Sequence, residues 1–300
     1  MISFKPLRIE DKHTVDKYVR LEASQSADFN FGNMFMWDGR YNQQFAEVSG
    51  RLVVLTCTGG VPFFVYPIGS GPLAPVICEM REYAKENGFD LVLRGVERRH
   101  IAPLEEAFPL CFSFETNRAY FDYIYNAETL RNFSGKKLHS KRNFINRFVT
   151  QYNWHFEELS PKHFDACREL LKLWERSVEH DGEFLQDEHA AISRAFVHYE
   201  TLGLFGGALF AEGQLAAFSI GEPLREDTFN VHFEKARRDI AGAYPMINRE
   251  LVRLVLCRFP GVTHINREDD MGMENLRSTK LSFYPEFLLE KHTARWVACV

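Results

Sequence analysis

The sequence predicts an α/β (α+β) protein of two modules in tandem, each a mixed, mostly antiparallel sheet flanked by helices. Three observations predict it. The chain has 300 residues, and domains run to roughly 100–200 residues each. Hydrophobic residues make up 45% and charged residues 26%, the balance of a globular chain and not of a disordered one. Strand-type and helix-type runs alternate through both halves, which places the modules at residues 1–130 and 131–300.

In the first half, Arg8–Leu21 has helical character, and Phe29–Trp37 is an aromatic, Met-rich buried helix or loop. Arg51–Pro67 reads as strands broken at Gly59-Gly60. Pro75–Asn87 is an amphipathic helix closed by Gly88 in the C-cap position. Phe89–Leu93 is a strand, Ala102–Phe108 a helix, and Ala119–Tyr125 an aromatic strand ending the module.

The second half opens with a basic segment in which Leu138, Ile145, Phe148 and Val149 keep helical spacing. Ser160-Pro161 is an N-cap followed by proline at the first helical position. The helix behind it carries Phe164, Cys167, Leu170, Leu171, Trp174 and Val178 on one face. A helix from Asp187 ends at Gly203, and Leu204–Phe210 with Leu215–Ile220 form a hairpin. Thr228–Ala236 is a strand, Gly242 leads into a helix over Tyr244–Phe259, and Val262–Asn266 is the next strand. Met273–Leu281 is helical, and Phe287–Val297 holds a final strand of the same module.

Composition excludes several classes. A net charge of -5 argues against a general nucleic-acid coat and against DNA as a partner, without excluding a local basic site. The six cysteines are scattered with no Cys-x-x-Cys, which predicts buried free thiols in a reducing, cytoplasmic setting and no metal. The N-terminus carries no apolar core of a secretory leader, and no uncharged run reaches the ~18 residues of a membrane span. The loops and elbows of ATP hydrolysis, serine hydrolysis and zinc proteolysis are absent from the sequence.

Four segments carry candidate chemistry. Alternation along Thr228–Ala236 sets Phe229, Val231 and Phe233 on one face and Asn230, His232 and Glu234 on the other. In a cleft, Glu234 is a candidate general base, with Asn230 and His232 beside substrate; a solvated sheet face is the alternative. The turn Arg237-Arg-Asp-Ile-Ala-Gly-Ala-Tyr-Pro joins that strand to a helix N-terminus, a combination that binds anions. Asn266–Arg277 follows the next strand, where ligands gather in open α/β sheets. Its Glu268, Asp269, Asp270 and Glu274, with Asn275, suit an ammonium group or proton removal; acids that merely favour a helix dipole are the alternative. Lys136, Lys137, Lys141, Arg142 and Arg147, with His139, suit phosphates of a nucleotide or RNA, against the alternative of a solvated helix face.

The order strand, hairpin, strand, small-residue turn, helix, strand, helix over residues 202–300 resembles the core of a GNAT-type acyltransferase. In that family the turn after the fourth strand reads Gln/Arg-x-x-Gly-x-Gly/Ala and binds the coenzyme A pyrophosphate. Arg238-Asp-Ile-Ala-Gly-Ala243 is similar, with Ala241 at the first glycine. The family's Tyr-x-Lys-Leu-Gly-Phe, whose tyrosine is a general acid, resembles Ser278-Thr-Lys-Leu-Ser-Phe283, with serine at the tyrosine position and Tyr284 as the nearby substitute. Lys137–Phe148, Gly242–Asn248 and Asn266–Arg277 resemble a narrower bacterial family, that of the C-terminal domain of phosphatidylglycerol lysyltransferases. Like the peptidoglycan-bridge aminoacyltransferases, it has two GNAT-like modules.

The resemblance implies transfer of an acyl or aminoacyl group to a small-molecule amine or hydroxyl acceptor. Coenzyme A or acyl-CoA is the expected donor. It would lie past Phe233 and Lys235, with its phosphates at Arg238, Ile240, Ala241, Gly242, Ala243 and Tyr244. Glu234 or Asp269 takes the proton, Tyr284 returns one, and Asn230, His232, Asp270, Glu274 and Asn275 bind substrate. Aminoacyl-tRNA held by Lys137, Lys141 and Arg142 is the runner-up donor. A non-catalytic nucleotide- or tRNA-binding shell is the rival. The first module is expected to be structural or acceptor-binding.

Overall fold

A computed structural model describes residues 2–175 and 182–297; Val178 and Cys299 fall outside them. The chain divides into two units, Met1–Asp122 with Leu289–Val300, and Tyr123–Leu288.

The first unit is built on β1 (Lys5–Pro6), α1 (Lys12–Glu22), α2 (Phe31–Met36), α3 (Asp38–Tyr41), β2 (Gln44–Val48), β3 (Arg51–Thr58), β4 (Val61–Val65), β5 (Ile68–Gly69), α4 (Leu73–Glu86), β6 (Val92–Glu97), α5 (Arg98–Ala107) and β7 (Phe112–Thr116). The strand expected at Phe89–Leu93 begins three residues later, and β7 was not legible in the sequence. α4 buries Val76, Ile77, Met80 and Ala84 at helical spacing. Its sheet runs β1-β2-β3-β4-β6-β15-β7, where β15 is Lys291–Trp296, antiparallel except for the parallel pair β4–β6.

The second unit contains β8 (Asp122–Asn126), α6 (Ala127–Asn132), α7 (His139–Gln151), β9 (Trp154–Glu158), α8 (Phe164–Glu175), α9 (Gly182–Val197), α10 (Tyr199–Leu202), β10 (Phe205–Ala211), β11 (Gln214–Arg225), β12 (Thr228–Ala236), α11 (Ala243–Arg258), β13 (His264–Asn266), α12 (Glu274–Leu281) and β14 (Phe287–Leu289). β15 (Lys291–Trp296) follows. The sheet order is β14-β8-β13-β12-β11-β10-β9, with β12 and β13 parallel. α11 lies on one face. There Met246, Ile247, Leu251, Val252 and Val255 pack with Leu209, Ala217, Phe229, Val231 and Ile265. α7 joins that core through Ile145 and Phe148. At about 1.5–3 kcal/mol per buried side chain, these two anchor the helix more firmly than its surface charges do. Val149, expected inward, is 41% exposed.

Two strands change module relative to the sequence reading. The Ala119–Tyr125 strand is β8, which pairs with β13 in the second sheet. The Phe287–Val297 strand splits, and β15 inserts between β6 and β7 of the first sheet. The boundary therefore falls after Asp122 instead of at 130. Strand partners distant in sequence leave no local signal, which is why the boundary was misplaced. Within the first unit, the buried ammonium of Lys291 holds β15 to Asp28 at 3.0 Å and Asp122 at 2.9 Å.

The cysteines also depart from expectation. Cys78 and Cys257 are exposed free thiols on outer helix faces, Cys167 is buried and free, and Cys111 is disulfide-bonded. No helix among the described residues is long and apolar enough to cross a membrane.

Candidate active site

β12 lies beside β11 along its whole length, but it pairs with β13 only where Thr228–Asn230 meets His264–Asn266. From Val231 to Ala236 no described strand pairs with its other edge, so the sheet forks there. A fork in a parallel pair exposes backbone and side chains at the carboxyl ends of strands, where α/β sheets hold ligands.

A β-bulge sets which side chains meet at the fork. Ile220 and Gly221 are consecutive on β11, yet they oppose Phe233 and Val231 on β12, leaving His232 as the extra residue. Gly221 makes this possible: a β-carbon there would lie 2.0 Å from the Asn230 carbonyl oxygen. Strict alternation breaks at the bulge. Glu234 leaves the face of Asn230 and His232 and turns towards α11, where Asn248 Nδ2 donates to it at 3.4 Å. The expected grouping of Asn230, His232 and Glu234 on one face is thereby corrected.

Glu234 forms the centre of the first polar group. Arg267, just past β13, reaches across the fork and donates through Nη2 to Glu234 Oε1 at 2.7 Å, with side chains only 9% and 6% exposed. The guanidinium lies 4.8 Å from the Phe283 ring centroid. Ser219 is the cross-strand neighbour of Glu234. Ser219 Oγ, Asn248 Oδ1 and Arg267 Nη1 are buried without a hydrogen-bond partner among the described residues. Each such atom costs about 1–3 kcal/mol, which makes this cluster the candidate site.

The second group lies on the other face. His232 donates to Glu222 at 3.0 Å and to Glu268 at 2.9 Å, and Asn230 Nδ2 donates to the same Glu268 oxygen at 2.9 Å. Burial pulls the imidazole pKa down, but hydrogen bonds and charge from the two carboxylates prevail and raise it to about 9. His232 is therefore a buried imidazolium at neutral pH, not a general base.

The third group closes the C-terminal end of β12. Lys235 Nζ lies 3.7 Å from the Trp174 ring centroid and 2.8 Å from Glu188. Burial lowers its pKa, opposed by Glu188. Trp174 Nε1 donates to Tyr244 Oη at 3.1 Å, and burial raises the tyrosine's pKa.

Residues 19–295 match the family model described as phosphatidylglycerol lysyltransferase, C-terminal. The chain belongs to this family. A crystal structure of a conserved protein of unknown function from Bacteroides thetaiotaomicron is 34% identical, covers 99% of this chain and 100% of its own, and superposes with a TM-score of 0.91. The C-terminal domain of a putative lysylphosphatidylglycerol synthetase from Agrobacterium fabrum shares 13% identity over 95% and 91% of the two chains, with a TM-score of 0.68. A tandem GNAT protein from the clavulanic acid biosynthesis pathway shares 11% identity over 98% of each chain, with a TM-score of 0.50. These likenesses give the fold as two tandem GNAT-like modules. An uncharacterised protein of Mycoplasmoides gallisepticum is 24% identical over 178 residues, and the match spans 58% of this chain and 56% of that protein.

Against this family frame the expected site residues divide. Glu234 sits at the fork, whereas Asp269 Oδ1 accepts from Met271 N at 3.1 Å within its own turn. Asp270 is wholly buried and accepts from Tyr123 Oη at 2.6 Å and Arg277 Nε at 2.9 Å, so it anchors the loop and does not face a substrate. Glu274 and Asn275 are exposed on α12. Tyr284 is 46% exposed beneath Lys137, and no hydrogen bond among the described residues ties it to Glu234 or Arg267. Phe233 is buried in the face opposite Glu234, so only its backbone can meet a donor.

The turn Arg238–Tyr244 keeps part of its expected character. Arg238 and Ala241 are exposed, Ile240 O accepts from Ala243 N at 3.2 Å, and Gly242 caps α11 at φ +88°. A β-carbon on Gly242 would lie 2.6 Å from the Phe144 carbonyl oxygen, so α7 covers this side of the turn. Pro245 removes one N–H from the helix start. Lys141 and Arg142, expected to face RNA, point inward. Lys141 donates to Ser282 Oγ at 2.7 Å, and burial together with Arg267 lowers its pKa. Arg142 donates to the carbonyls of Phe133 and of Gly135, the latter at 2.7 Å. Lys136, Lys137, Phe144 and Arg147 remain exposed.

Sequence reasoning missed Arg267, Asn248, Ser219, Glu222, Glu188, Trp174 and Lys280. Only Arg267 had a usable signal, its place directly after a parallel strand.

Proposed function

We propose that the chain transfers an aminoacyl group from a tRNA ester to an amine or hydroxyl acceptor at the fork between β12 and β13. Membership of the lysyltransferase C-terminal family carries this reading. The acceptor's nucleophilic atom attacks the ester carbonyl, forming a new C–N or C–O bond as the ester C–O bond breaks. Glu234, held in place by Arg267 at 2.7 Å, takes the acceptor's proton, and that proton returns to the departing ribose oxygen. Arg267 Nη1, buried and without a partner among the described residues, supports a role in stabilising the carbonyl oxygen as it gains charge. The exposed Lys136, Lys137, Arg147 and Phe144 suit phosphates and a stacked base of the tRNA end.

A coenzyme A thioester is the second reading. The left-handed Gly242 at the start of the 16-residue α11 favours it. The family resemblance, Ala241, Pro245 and the cover of α7 over the turn favour tRNA.

The test is transfer of labelled aminoacyl groups from a charged tRNA pool, run beside acetyl-CoA over a panel of amines and alcohols. Glu234→Gln is expected to lower turnover by about 10²–10⁴. Unchanged turnover would remove Glu234 from the chemistry, and turnover with acetyl-CoA alone would replace the donor.

A further inference from the structure

Lys280 is the one residue of the Ser278–Phe283 motif that is buried as a charge, with 8% exposure on α12. It donates to the carbonyl oxygens of Arg267 at 2.7 Å, Glu268 at 3.3 Å and Asp269. Three consecutive carbonyls converge on one point because Glu268 adopts φ +56° between them. An ammonium carries three N–H donors and no acceptor, so three carbonyl acceptors match it, and a buried charge is tolerable only when so matched.

The same stretch supplies the side chains of the fork. Arg267 reaches Glu234 at 2.7 Å, and Glu268 reaches His232 at 2.9 Å and Asn230 at 2.9 Å. The remainder of the loop is held through Asp270 to Tyr123 and Arg277. Lys280 thus touches neither Glu234 nor Arg267's guanidinium, but it sets the backbone from which Arg267 and Glu268 depart.

We infer that the carbonyls of residues 267–269 form a monovalent-cation site built into the fold, which Lys280 fills with its own ammonium, and that Lys280 is a positioning residue for the fork. The ligand class of the site is a small cation that donates hydrogen bonds to, or is coordinated by, carbonyl oxygens: ammonium, methylammonium or potassium. Tetramethylammonium, which has no N–H and a larger radius, is excluded. The positioning role rests on the transferase reading, whereas the cation site does not.

The experiment is thermal unfolding of Lys280→Ala and of the unaltered chain in ammonium, methylammonium, potassium and tetramethylammonium chlorides at constant ionic strength. Losing one buried charge and unpairing its carbonyls is expected to lower Tm by about 5–10 °C. Methylammonium or ammonium should restore most of that loss saturably in the variant, tetramethylammonium should not, and the unaltered chain should not respond. Amide hydrogen exchange at residues 267–270 should lose protection in the variant and regain it with methylammonium. If Lys280→Ala does not fold, Lys280→Met, which keeps the apolar stem, replaces it in the same series. A folded variant with no saturable recovery, or an equal response from the unaltered chain, overturns the site. In the charged-tRNA assay, methylammonium should raise the variant's kcat and leave its KM unchanged. Rescue of stability without rescue of kcat would overturn the positioning role alone, and lack of transfer by the unaltered chain would retire the transferase reading while the cation result stands.

Discussion

Both units contain a strand–helix–strand unit with parallel strands, and they differ in where the first strand stops. In the first, β4 ends at Val65 opposite Arg94 of β6, and Tyr66 N continues the ladder to the Arg94 carbonyl at 2.9 Å. Just past the strand, Tyr66 stacks on His100 at 3.9 Å, and the His100 ring is held by Glu22 at 2.8 Å. In the second, β12 runs on from Asn230 to Ala236 after its pairing with β13 has ended. Paired backbone and stacked rings close the first place; unpaired backbone and buried charges furnish the second. The same connectivity yields a closed or an open strand end according to whether the first strand outruns its neighbour.

The largest expected effect breaks the scaffold side of this contrast. Lys291→Met removes the ammonium that bridges Asp28 and the buried Asp122, and loss of one partner of a buried ion group costs about 3–5 kcal/mol. Denaturant unfolding should register that loss, while turnover per folded molecule stays unchanged; a fall in kcat would place the first unit in the chemistry.

The next effect sharpens the electrostatics of the fork. His232 has a folded pKa of about 9, above its ordinary 6.5. Its contribution is fully present below pH 6.5 and is lost as pH rises through 9, a change on the order of 3 kcal/mol. The unaltered chain should therefore lose stability between pH 6.5 and 9.5, and His232→Gln should flatten that slope. An unchanged slope would mean that the imidazole is neutral.

Gly242→Ala should cost about 1–3 kcal/mol, since alanine at φ +88° is strained and its β-carbon meets Phe144 O at 2.6 Å. Thermal unfolding measures it, and a neutral result would show that α7 does not seal the turn. The smallest effect concerns the cations of α7 and the turn before it. Replacing exposed Lys136 and Lys137 by alanine should reduce the salt dependence of tRNA binding by about one to two units of slope, with stability unchanged. Lys141→Ala should leave the slope unchanged and lower Tm, because that ammonium is bonded to Ser282.

Local patterning made the elements around the fork legible. Thr228–Ala236 appears as a strand with the expected bounds, and the helix after Gly242 and the hairpin before it lie where periodicity and glycines place them. Glu234 was legible as a polar residue on a strand. Its surroundings were not, because a one-residue bulge at His232 reverses its face, and the cause is Gly221 on a neighbouring strand. Asp270 and Lys141 carried the right chemistry for ligands but are consumed by Arg277 and Ser282, partners that lie close only after folding.

The sequence by itself determined the α/β class and most of the elements, because helix and strand periods, caps and turn glycines act over a few residues, and the family through the resemblance of three short motifs. Tertiary structure alone decided which sheet receives β8 and β15, where β12 parts from β13, and which charges meet there. Those outcomes depend on pairing between segments far apart in the chain, as when Arg267 meets Glu234 and Lys280 meets the carbonyls of residues 267–269.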